Sequence, residues 1–154
     1  MKIVVDTNIV FSAVLNTNSK IGRILTEGSV IFDFYSIHQL NEEIITHNNK
    51  IISLTKYSDE HLYETLELLT ENFTFIEIEK LSDNSVKRAY DLVQNVDIND
   101  LLFVALAIEL DSKLWTGDKK LVNGLKNKNF DSFISTQELY QLFLDYESKV
   151  FYKN

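Results

Sequence analysis

The 154-residue chain has no cysteine, no proline and only four glycines. Without cysteine, disulfides and thiolate zinc sites are both excluded, and a cytoplasmic protein with an unstapled core is expected. With proline absent and glycine scarce, the usual punctuation between elements is almost missing. No repeat, low-complexity tract or linker interrupts the sequence, so a single domain over residues 1–154 is expected. Long apolar runs are also lacking. The longest, Leu101 to Ile108, has eight residues, against about 20 for a membrane span. Asp6 follows only three apolar residues, which is incompatible with a signal peptide at this N-terminus. Basic side chains are few: 15 against 23 acidic ones, for a net charge of −8. That balance disfavours a long, nonspecific duplex footprint, which needs lysine and arginine against phosphate. It leaves room for a nucleic-acid enzyme, because a carboxylate cluster that binds Mg²⁺ makes the metal-free protein acidic.

What is present is a globular composition, 45% hydrophobic, patterned as alternating strands and helices. Ile3-Val4-Val5 is a short apolar run of the kind that forms a buried parallel strand. Helical segments are expected from Ile9 to Leu15 and from about Ser19 to Glu27. Val30 to Tyr35 reads as a strand, with Ser36 as the N-cap of a helix carrying Leu40, Ile44 and Ile45. Ser58 to Thr70 and Ser82 to Gln94 read as helices, and Phe73 to Ile78 as a strand between them. Asp97 to Leu110 is apolar on nearly every side, which implies a central helix. Lys113 to Thr116 and Asp131 to Ile134 read as strands, separated by a helix that Gly117-Asp118 opens. Ser135-Thr136-Gln137-Glu138 is a capping-box pattern that starts a last helix through about Tyr146. The fold class expected is α/β, a three-layer α/β/α arrangement with a mainly parallel central sheet. Ligands of such sheets sit at the carboxyl ends of the strands, at a topological switch point. Asp6 and Asp118 each follow a strand and are expected at that rim.

Four acidic side chains stand in unusual settings: Asp6 after an apolar strand, Glu43 on the helix after the second strand, Asp100 in the first turn of the most apolar helix, and Asp118 after Leu114-Trp115-Thr116. Each has an ordinary alternative role as a helix cap, a dipole partner or a solvated residue. A buried carboxylate is costly unless it is paired or metal-bound. Only Asp118 has close basic neighbours, Lys119 and Lys120. Divalent metal with oxygen preference, Mg²⁺ or Mn²⁺, is the natural partner, and such a site can activate water against a phosphodiester. Glu42 and Glu43 diverge by about 100° on a helix, so only one should face the site; the neighbouring Leu40 and Ile44 favour Glu43. Asp97 and Asp100 compete in the same way.

Taken in order, Val4-Val5-Asp6-Thr7-Asn8-Ile9, Ser36-x-x-x-Leu40-x-x-Glu43-Ile44, Asp97-x-x-Asp100-x-x-Phe103-x-Ala105-Leu106-Ala107 and Trp115-Thr116-Gly117-Asp118-Lys119-Lys120-Leu121 resemble the PIN domain, a family of small α/β nucleases. The resemblance spans nearly the whole chain, and its strength lies in the order of four individually weak motifs. It implies that Asp6, Glu43, Asp100 and Asp118 are the catalytic acids, with Asp6, Asp100 and Asp118 on the metal. Thr7, Asn8 and Thr116 would orient carboxylates or water from behind, and Asp97 would be an additional ligand or an orienter. It further implies metal-dependent cleavage of RNA, a toxin paired with an antitoxin protein, and a homodimer.

Two other functions compete. A phosphoryl-transfer nucleophile at Asp6 would need a second aspartate two residues on, where Asn8 stands. A non-catalytic module that binds RNA or protein would have no need of four retained acids. His38, His47 and His61 lack zinc spacing and are expected at the surface or in an interface. The aromatic tail from Phe130 to Tyr152, including Phe133, Tyr140, Phe143 and Tyr146, is expected to pack a final helix or a dimer contact rather than stack bases. Lys119, Lys120, Lys126 and Lys128 form either a phosphate path or a solvated face.

Overall fold

The structure, a computed structural model, describes residues 1–151. Strand β1 (Lys2–Val5) lies at the centre of a five-stranded, wholly parallel sheet. Strands β2 (Asp33–Ile37) and β3 (Phe73–Ile76) extend it on one side, and β4 (Lys113–Trp115) and β5 (Phe133–Ile134) on the other, in the order β3-β2-β1-β4-β5. The direction of winding reverses between β1 and β4, so the switch point falls there. Ile3, Val4, Val5, Leu114 and Trp115 are fully buried, as expected of strands covered on both faces.

Helix α1 (Thr7–Leu15) and helix α2 (Lys20–Glu27) follow β1. After β2 come α3 (Gln39–Thr46), α4 (Asn48–Thr55) and α5 (Asp59–Thr70). Helix α6 (Asp83–Val93) precedes a 3₁₀ turn, Ile98–Asp100, that leads into α7 (Leu101–Glu109). Helix α8 (Lys119–Lys126) joins β4 to β5, and α9 (Thr136–Phe151) ends the described chain. Helix α7 lies across β1, β2 and β4 with α6 packed on it, while α1, α2, α5 and α9 pack together as another layer. Phe103 to Ala107 are all buried, which explains why α7 is apolar all round.

Serine takes over the boundary role that proline and glycine leave vacant. Ser19, Ser58 and Ser82 cap α2, α5 and α6 by accepting backbone N–H bonds at 3.1, 3.1 and 3.2 Å. At α9 the capping box is complete: Glu138 accepts from the Ser135 N–H at 2.8 Å, and the Glu138 N–H donates to Ser135 Oγ at 3.2 Å. Ser36, expected as a cap, instead lies inside β2, where its buried hydroxyl donates to the Val5 carbonyl at 2.9 Å. Helix α3 has His38 at its N-cap position and no side-chain cap bond. The strand expected over Val30 to Tyr35 starts later, because Gly28–Val30 forms a 3₁₀ turn. Helix α9 runs beyond Tyr146 to Phe151. Within it Phe143 is buried and Tyr140 packs against the core, as expected of a final helix. Tyr152 lies outside the described residues. No helix of the described chain is long and apolar enough to cross a membrane.

Candidate metal centre

Parallel pairing places Val5 beside Trp115, and the Asp6 N–H donates to the Trp115 carbonyl at 3.1 Å. The residues that leave these two strands, Asp6 and Thr116, therefore sit side by side. Thr116 Oγ donates to Asp6 Oδ2 at 2.7 Å and accepts the Asp118 N–H at 3.1 Å, tying both acids to one buried hydroxyl. Asp6 Oδ1 accepts the Asn8 N–H at 3.5 Å, and Asp118 Oδ1 accepts from the Lys120 and Leu121 N–H groups at 2.8 and 3.1 Å. Both acids are thus helix caps, as their ordinary readings have it, and both also face the cleft. For Asp118 the capping falls wholly on Oδ1, which leaves Oδ2 for the cleft.

The cleft holds about 390 Å³ and is lined by Asp6, Thr7, Asn8, Glu43, His47, Asp97, Asn99, Asp100, Phe103 and Asp118. Glu43 lines it, while Glu42 faces a neighbouring groove with Glu77 and Glu79. Gln39 Nε2 donates to Glu43 Oε1 at 2.7 Å and holds that carboxylate one turn on. Asp97 and Asp100 need not compete, because the 3₁₀ turn between them lets both face inward. One carboxylate oxygen from each of Asp97, Asp100 and Asp118 lies within 4.8 Å of the others. Asp97, expected as an additional ligand or an orienter, thus belongs to this trio. Asp6 lies deeper, only 3% exposed, with one oxygen engaged by Thr116.

The electrostatics follow from this crowding. Burial raises the Asp6 carboxyl above its ordinary value; the hydrogen bonds from Thr116 and Asn8 oppose that rise, and Glu43 and Asp118 add to it. Burial likewise raises Asp100, and Asp6, Asp97, Asp118 and Glu43 carry it further, up to about 7. No lysine or arginine lines the cleft, and none of its acids makes an ion pair among the described residues. At its wall, the buried Thr7 Oγ1 has no hydrogen-bond partner. Five carboxylates without a facing cation, in an oxygen-rich donor set, fit a hard divalent ion such as Mg²⁺ or Mn²⁺.

Sequence reasoning missed His47, Asn99 and Phe103 as lining residues. His47 stands four residues after Glu43, and that i, i+4 spacing was its available signal. Two of the four lysines after Asp118 are committed elsewhere: Lys126 pairs with Asp131 at 3.2 Å, and Lys128 Nζ donates to the Asp91 and Leu92 carbonyls. Lys119 and Lys120 remain exposed at the start of α8.

The sequence matches the family described as PIN domain over residues 4–139. No curated protein matches it significantly. Among solved structures, the fold is similar to a chain of VapBC2 from Rickettsia felis bound to a DNA fragment from their promoter. That likeness has a TM-score of 0.64 at 16% identity, and covers 88% of this chain and 97% of the other.

Proposed function

This chain belongs to the PIN domain family, a family of nucleases, and on that premise we propose that it is a divalent-metal-dependent endoribonuclease that hydrolyses RNA phosphodiester bonds. The observation that carries the reading is the run of carboxylates at the switch point, with no lysine or arginine lining their cleft among the described residues. Asp97, Asp100 and Asp118 would hold Mg²⁺ or Mn²⁺, with Asp6 completing the site from below. The bound ion supplies a Lewis acid that activates water near neutral pH and offsets phosphate charge during in-line displacement. Thr116 fixes the Asp6 carboxylate and the Asp118 backbone together, so the acids are positioned before substrate arrives. Glu43, oriented by Gln39, borders the cleft and would orient the attacking water or accept its proton.

The test is cleavage of a mixed pool of labelled RNAs in Mn²⁺, Mg²⁺ or EDTA, by the wild type and Asp6→Asn. Cutting should need metal and fall by at least about 100-fold in the variant, the upper range for groups that only orient ligands. A well-folded wild type that neither cuts nor takes up Mn²⁺ would make the chain a binding module instead.

The same reading extends to a toxin held by a partner antitoxin. It is favoured by the family's many paired toxins and by the solved fold neighbour, VapBC2 bound to a DNA fragment from their promoter. Helix α9 exposes Leu142, Tyr146, Val150 and Phe151, a face suited to a homodimer or another protein partner. Growth arrest on expression of the wild type, absent with Asp6→Asn, is the expected outcome; normal growth with active enzyme would remove the toxin assignment.

A further inference from the structure

Beside the acidic cleft, and sharing Thr7, Asn8, Glu43 and His47 with it, is a smaller depression of about 170 Å³ that adds Phe11 and Lys50. Its construction is local. Thr7, Asn8 and Phe11 follow at i, i+1 and i+4 on α1, which brings Phe11 one turn along the face that opens on the cleft. The break between α3 and α4 falls at His47, and the Lys50 N–H donates to the His47 carbonyl at 3.0 Å, placing Lys50 in the first turn of α4. Its ammonium rests 5.7 Å from the centre of the Phe11 ring. Lys50 makes no ion pair among the described residues, although Glu43 lines the same depression.

We propose that the Phe11–His47–Lys50 depression receives one unpaired nucleotide next to the scissile phosphate, with its base on the Phe11 ring and its phosphate on Lys50; this rests on the nuclease reading above. Three features support it. A polyanion crossing a pit of carboxylates needs cations beside that pit, and Lys50 lines the depression that borders it. An aromatic face covered by a lysine is a surface a base can take over, since both are held by the same π-system. The displaced ammonium, on a flexible four-carbon stem, is then free to meet a phosphate. Asn8 and His47 supply donors and acceptors for a base edge. At about 170 Å³ the depression has room for about one base, and a paired base inside a duplex cannot enter it without being splayed out.

The experiment compares the full-length wild type, Phe11→Leu, Lys50→Gln and the control Lys87→Gln, all with Mn²⁺, on one single-stranded RNA that the wild type cuts. The same RNA is also tested as a duplex and with an abasic residue beside the cut. Phe11→Leu and Lys50→Gln should each raise KM by about tenfold, within the range for losing one base stack or phosphate contact, with kcat little changed. The wild type should cut the abasic RNA as weakly as Phe11→Leu cuts the intact one, and combining the two should bring no further loss. The duplex should be a poor substrate. Unchanged KM in both variants, additive losses with the abasic RNA, or equal cutting of duplex and single strand overturns the proposal. Phe11 packs against the core, so its folding is checked by melting; Lys50 is exposed and keeps the test valid if Phe11→Leu unfolds. If the wild type cuts nothing, the nuclease reading fails separately. Anisotropy with a short labelled single strand then reads the depression directly: weaker binding by Phe11→Leu and Lys50→Gln supports it, and unaltered or absent binding overturns it.

Discussion

At Asp100, burial and four neighbouring carboxylates act in one direction, and they raise its carboxyl from an ordinary 3.8 to about 7. The folded protein therefore binds this proton more tightly than the unfolded chain does. Between pH 4 and 7 Asp100 holds more of its proton in the folded state, so in EDTA its contribution to stability falls as pH rises through that window, with the loss complete above about 7. Asp100→Asn removes the charge and keeps the shape. Without metal, its melting temperature should exceed the wild type's at pH 7.5, by about 2–4 °C for each kcal/mol of repulsion relieved. The two curves should converge near pH 4, where Asp100 is protonated. A constant gap across that range would show that repulsion at Asp100 is not the cause. The positions of Asp6 and Asp118 were legible in the sequence because Asp6 follows an apolar strand directly and Asp118 comes just beyond another. The bond from Thr116 to Asp6 was not, since it depends on which strands are neighbours, and no local pattern states that.

Helix α8 owes its position to a missing side chain. A Cβ added at Gly124 would stand 2.7 Å from Val96 Cγ1 and 2.8 Å from Cγ2. Valine, stiff at its first torsion, has no far end to swing aside. Val96 immediately precedes Asp97, and Asp118 caps α8, so this contact holds two members of the carboxylate trio together. Gly124→Ala should therefore separate them: Mn²⁺ affinity, read by calorimetry, should weaken about 10- to 100-fold while the helical circular dichroism persists. Unchanged affinity would mean that the backbone yields and the trio does not depend on this packing. The elements with strong local signatures were legible: β1 and α7 from their apolar runs, and α9 from its capping box. Helix α4 was not, because Asn48-Asn49-Lys50 carries no apolar period and Ile51 is its one buried residue. Overlooking α4 also hid the relation of Lys50 to the cleft. Ser36 misled for a related reason: buried serine and capping serine look alike until the strand beside them is known.

Across the whole molecule, a net charge of −8 and a cleft of unpaired carboxylates make the metal-free state self-repelling, and a divalent ion bound as proposed would relieve that repulsion only in the folded chain. Binding to the folded state alone stabilises it by about 2.7 kcal/mol at a hundredfold excess over Kd. For a domain of this size the melting temperature should rise by roughly 5–10 °C. Saturating Mn²⁺ should produce that rise in the wild type, and comparison of two variants locates the ion. Asp118→Asn can still cap α8 through its amide oxygen but removes a carboxylate from the trio, so it should lose most of the shift. If Asp6 is a direct ligand, Asp6→Asn should lose as much. A shift kept in Asp6→Asn and lost in Asp118→Asn would place the ion on Asp97, Asp100 and Asp118, with Asp6 acting through Thr116 and the shape of the floor. Equal shifts in all three proteins would remove the metal from this cleft and the proposed chemistry with it. On the proposed reading, the acidic balance that disfavours a long nucleic-acid footprint has a positive meaning: five of the 23 acidic side chains stand where metal would bind, and RNA would be met through a few contacts beside them rather than along a basic surface.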